Sequence, residues 1–165
     1  MVGIYYIEFP KIYLMNQKAM QLGIVSVAFL MLATGVIYLL VSNAEITEAG
    51  KKIDKHETDS KESLNGPFIE TAFFAAVGGA YIPVGLWTIV GKHASKTPYY
   101  LAIVGSSALI ILYVLSRTVY IPIVGQQDDI GFVDLLSKAL QVGIIGFSLY
   151  VITSIKKEKK ASLLV

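Results

Sequence analysis

The chain has 165 residues, mean hydropathy +0.63, 55% hydrophobic residues and a formal net charge of +2. Its 16% of charged residues is well below the roughly 25% of an ordinary soluble domain. This composition excludes a disordered chain and a nucleic-acid-binding module, and the lack of cysteine excludes disulfide staples, thiolate nucleophiles and iron–sulfur or zinc–thiolate centres.

The charges fall between long uncharged runs, and these runs organise the chain. Residues 1–21 place Tyr5, Tyr6, Phe9 and Tyr13 beside Lys11 and Lys18, the mixture expected of an interfacial segment ahead of a membrane span. Ala19–Ala44 is then free of charge for 26 residues, with a span expected at about 22–42. A signal-peptide core is about 7–15 residues long, so this longer run reads as an uncleaved anchor. Residues 43–65 form a polar loop of mixed charge, suited to a solvated helix or a linker. Gly66-Pro67 punctuates the chain, with Pro67 placed to open the second helix.

The second run lies between Glu70 and Lys92 and has 21 residues, giving a span at about 70–91. Pro83 within it removes a backbone donor and is expected to kink the helix. A short connection through Pro98 leads to the third run, 20 residues between Lys96 and Arg117, with a span at about 98–117. The fourth, Ala139–Ile155, has 17 residues. Apolar residues upstream extend that span to about 134–155, before a basic tail at 156–165. A hydrocarbon core of about 30 Å needs about 20 helical residues, so the expectation is an all-α integral membrane four-helix bundle, mainly antiparallel.

Lys and Arg number eight beside the two termini and the second loop, against six in the first and third loops. The cell membrane is thus the expected location, with both termini cytoplasmic. Small residues recur within the spans: Ala72, Ala76 and Ala80, then Ala75 and Gly79, Gly105 to Ala108, and Gly143 with Gly146. Such faces let helices approach closely in lipid.

Chemistry is best sought in the third loop. Leu115–Leu136 joins Arg117, the turn residues Pro122 and Gly125, and the acids Asp128, Asp129 and Asp134. Its apolar Val119–Val124 portion is expected to fold back against the bundle. Glu70, at the start of the second span, belongs to the same end. Glu70, Arg117, Asp128, Asp129 and Asp134 therefore form a candidate polar cluster with two readings. One is structural, with acids favouring helix starts and Arg117 complementing a helix end. The other is a ligand or hard-cation site built from carboxylates and an arginine. His56 and His93 fall on opposite expected sides, so neither completes a metal site with the other. No phosphate loop, metalloprotease helix or nucleophile elbow occurs, and no catalytic, cofactor or metal residue is nominated.

The motifs GPFIETAFF at Gly66–Phe74, YIPVGLW at Tyr81–Trp87 and SRTVYIPIVGQQDDIGFVDLLSKALQ at Ser116–Gln141 carry a resemblance. The stretch from Gly66 to Ile152 resembles an uncharacterised family of small four-span membrane proteins of ammonia-oxidising archaea, with distant actinobacterial relatives. The resemblance implies four transmembrane helices and brings no catalytic residues. Its archaeal setting directs attention to an accessory role beside the membrane ammonia monooxygenase.

Three functions follow. A structural or accessory subunit would use the small-residue faces to bind a membrane-protein partner or further copies of itself. A small-molecule or ion-binding or transport protein would use the polar cluster at the third loop. A membrane enzyme has the least support in the residues.

Overall fold

A computed structural model describes residues 8–54, 62–91, 95–118 and 131–161. They form four helices: α1 Glu8–Asp54, α2 Glu62–Val90, α3 Thr97–Thr118 and α4 Phe132–Ala161. Each is long and apolar enough to cross a membrane, and the chain is a multi-pass membrane protein built as an all-α four-helix bundle. The folded-back portion expected at 119–130 lies outside the described residues, as do His56 and His93.

The helices are longer than the uncharged runs that mark them. At 47 residues, α1 extends about 70 Å at 1.5 Å per residue. That is more than twice the thickness of a hydrocarbon core. It runs without interruption from the aromatic amino-terminal segment, through the span, into 43–54 of the polar stretch. The second helix begins at Glu62, so Pro67 falls inside it and does not open it. Glu70 consequently lies eight residues past the helix start, beyond its exposed amides, and has no helix-opening role, although the apolar window still begins beside it at Thr71.

Successive helices are antiparallel and close a ring. α1 packs most extensively on α2, then on α4; α3 packs on α4, and the α2–α3 seam is the thinnest. Met20, Ile24, Val27, Met31, Thr34 and Tyr38 are buried along α1, and Ser137, Gln141, Ile144, Ser148, Val151 and Ile155 along α4. Both rows step by alternating fours and threes, the spacing that keeps one seam of a helix facing its neighbour in a gently supercoiled bundle. Tyr81 of α2 and Tyr99 and Ala102 of α3 complete the apolar core.

Glycine sets the tightest crossing. A Cβ at Gly78 would stand 2.8 Å from the Gly35 carbonyl oxygen, and a Cβ at Gly35 would stand 3.1 Å from the Gly78 oxygen. Backbone meets backbone here, so no side-chain rotation relieves an added methyl. Gly78→Ala should therefore lower the thermal midpoint of the detergent-solubilised protein, at an overpacking cost of about 1–3 kcal/mol. Gly79→Ala, one residue on, meets nothing within 4 Å and should leave that midpoint nearly unchanged when both variants are melted side by side.

Candidate functional site

At the bundle end that carries the α1–α2 and α3–α4 connections, the helix termini bring opposite charges together. Arg117 lies in the last turn of α3 and Asp134 in the first turn of α4. Each complements the partial charge of its own helix end. The two meet across the seam, Arg117 Nη2 donating to Asp134 Oδ2 at 3.4 Å. The Gly131 carbonyl accepts from the Leu135 amide, so Gly131 holds the cap position and Asp134 sits one turn inside. Of the five residues in the expected cluster, the structure joins these two. Asp128 and Asp129 lie outside the described residues, as does the Glu70 side chain.

Residues from deeper in the spans complete the site. Lys138 lies one turn beyond Asp134 and points its ammonium at Tyr38 of α1, donating to the phenol oxygen at 3.3 Å. Gln141, a further turn along and fully buried, donates to the same oxygen at 2.8 Å. Tyr38 stacks on Phe74 of α2 with ring centroids 5.7 Å apart, so one tyrosine ties α1 to both its neighbours. Tyr113 of α3 receives two cations on its ring: the Arg117 guanidinium at 5.0 Å and the Lys138 ammonium at 4.9 Å. Such contacts stabilise a cation where water is scarce.

The hydroxyls of Ser116 and Ser137 turn back on their own helices, donating to the carbonyls of Tyr113 and Asp134. Between these groups lies a cleft of about 50 Å³, lined by Tyr38, Phe73, Phe74, Leu109, Leu112, Tyr113, Ser116, Asp134, Ser137 and Lys138. That volume holds one or two water-sized groups or the tip of a larger molecule. Among the described residues, no three His, Cys, Asp or Glu side chains gather as a metal site.

In the sequence Lys138 stands at the edge of the fourth uncharged run and counts among the third-loop cations, and nothing local singles out Tyr38, Tyr113 or Gln141. The missed signal was helical spacing: Asp134, Ser137, Lys138 and Gln141 step along one side of α4. Tyr38 had no local signal, since it is 103 residues from Gln141.

Removing the Tyr38 oxygen tests how much this network holds. Tyr38→Phe leaves the buried Gln141 amide without its hydrogen-bond partner, a loss of about 1–3 kcal/mol. The variant should unfold at lower temperature in detergent. Adding Gln141→Leu to Tyr38→Phe should recover part of the loss, because no buried amide is then stranded. A double variant less stable than the sum of the two singles would contradict this account.

Comparison with protein-family models, with curated proteins and with solved structures returned no match.

Proposed function

We propose that this multi-pass membrane protein is a structural or accessory subunit whose bundle packs against a larger membrane complex, with both termini in the cytoplasm. The observation carrying this reading is the outer face of α2. Ala72, Ala76, Gly79, Ala80 and Pro83 all face away from the bundle, and nothing lies within 4 Å of the position a Gly79 Cβ would take. Pro83 has no N–H, so the Gly79 carbonyl one turn earlier lacks its usual helical donor. A flat face that exposes a carbonyl is poorly served by lipid chains and well suited to close approach by another helix.

The carrier reading, through Glu70, Arg117, Asp128, Asp129 and Asp134, is served less well. Arg117 and Asp134 bond each other, and the neighbouring cleft of about 50 Å³ is far smaller than a site enclosing an organic substrate. The likeness to small membrane proteins of ammonia-oxidising archaea makes the membrane ammonia monooxygenase the first complex in which to seek the partner.

Blue-native electrophoresis of mildly solubilised native membranes provides the test. The protein should migrate with a complex much larger than itself. Ala76→Leu combined with Gly79→Leu should release it while leaving the thermal midpoint of the purified protein unchanged. Because the chain lacks cysteine, a single Ala76→Cys substitution reports self-association: an efficient disulfide dimer would identify a homo-oligomer instead. Migration as a monomer from native membranes would overturn the proposal.

A further inference from the structure

The thin α2–α3 seam has a defined opening. Its two helices meet at their joined end, where the Tyr99 hydroxyl approaches the Thr88 carbonyl at 3.5 Å, and again where Tyr81 and Ser106 share a hydrogen bond of 2.9 Å. Beyond Tyr81 the cleft separates them, with Phe73 and Phe74 on one side and Leu109 and Leu112 on the other. Because α1 and α4 stand opposite this seam in the ring, Tyr38, Asp134, Ser137 and Lys138 close its back. The opening is apolar at its sides and polar in its depth.

Its electrostatics favour an anion. Lys138 carries three N–H donors; one is directed at the Tyr38 oxygen at 3.3 Å, and the other described contacts of the ammonium are with the faces of Tyr113 and Tyr38. The described carboxylate beside it, Asp134, is already bonded to Arg117. Among its described contacts Lys138 therefore keeps donors to spare. It stands six residues into α4, about 9 Å along the helix, near the membrane boundary where lipid headgroups approach a span. Basic pockets between transmembrane helices bind anionic headgroups at the cytoplasmic side, and Lys138 offers the same combination of charge and depth at the opposite end of the bundle.

We propose that the cleft is a binding site for an anionic lipid, its phosphate seated on the Lys138 ammonium and its chain lying along the α2–α3 seam between the Phe73–Phe74 and Leu109–Leu112 sides. A phosphate tip matches the space at the back of the cleft, and the chain passes out between the two apolar sides into the bilayer. The site is separate from the outward Ala72–Ala80 face, so it stands whether or not that face has a partner.

Thermal unfolding of the purified protein in a neutral detergent tests the proposal. Dioleoyl phosphatidylglycerol, dioleoyl phosphatidylcholine and inorganic phosphate are added in parallel. Phosphatidylglycerol should raise the midpoint by about 5 °C, the order of shift a saturating ligand gives a chain of this size. The other two should not. Lys138→Gln should abolish the shift and Lys138→Arg should retain it. Leu112→Trp, which fills the seam without altering a charge, should also abolish it, and this variant serves if Lys138→Gln does not fold. A Lys156→Gln, Lys157→Gln, Lys159→Gln variant should keep the full shift. An equal response to inorganic phosphate would overturn the lipid assignment in favour of a free-anion site. A shift that survives both Lys138→Gln and Leu112→Trp, or no shift at all, would overturn the site.

Discussion

Hydrocarbon neither donates nor accepts hydrogen bonds, and the interior of this bundle is arranged around that fact. Thr34, Ser42, Thr71, Thr88, Ser106, Ser116, Ser137, Gln141 and Ser148 are all buried, whereas Leu22, Phe29, Leu40, Val104, Val142 and Leu149 face outward. Some of these polar groups are satisfied locally: Thr34, Thr88, Ser116 and Ser137 each donate to a carbonyl on their own helix. Ser148 Oγ has no hydrogen-bond partner among the described residues, and others cross between helices. The Ser42 hydroxyl donates to the Thr71 carbonyl on the α1–α2 seam, and Tyr81 bonds Ser106 on α2–α3. Gln141 donates to Tyr38 on α1–α4, and Arg117 pairs with Asp134 on α3–α4. Every seam of the ring therefore has at least one polar tie. In lipid, where burying apolar surface gives little preference for one helix face over another, such ties and close glycine contacts help set which faces meet.

This constraint also explains what the sequence revealed. Charges are excluded from the hydrocarbon, so their absence marked four spans and an all-α bundle without any residue-level insight. Helix ends were harder to see, because leaving the membrane does not end a helix. Neither the mixed charges at 43–54 nor Pro67 stops a helix whose axis is already set by its span. Hydropathy averaged along a run also hides which face is inward. The uncharged polar residues carry that information, since Ser137, Gln141 and Ser148 recur along α4 at helical spacing. They share the inward row with the core residues Ile144, Val151 and Ile155, while Val142 and Leu149 face outward.

The polar end of the bundle was legible only where local position implied it. Arg117 and Asp134 sit at the facing ends of consecutive helices, so sequence order alone nearly places them in contact. Glu70 resembled a helix-opening acid because the uncharged run begins beside it, but the helix starts eight residues earlier. Lys138 resembled a boundary marker because a cation is costly in lipid. The cost is offset by contacts that no hydropathy sum contains: the Tyr38 phenol and the Tyr113 ring come from two other helices, one of them 100 residues distant.

The second helix shows how a segment that is apolar nearly all round still presents three distinct surfaces. Thr71, Gly78, Tyr81, Gly85 and Thr88 are buried, with Gly78 and Gly85 close against α1. Phe73 and Phe74 border the α2–α3 cleft, and Ala72, Ala76, Gly79 and Ala80 face outward. Polarity alone does not separate these surfaces; side-chain size does. Glycine admits the α1 backbone, phenylalanine lines the cleft near Lys138, and alanine leaves the outer face flat. An enlargement at Gly78 is therefore felt by the fold, one at Ala76 by whatever packs outside, and one beside Phe74 by what enters the cleft.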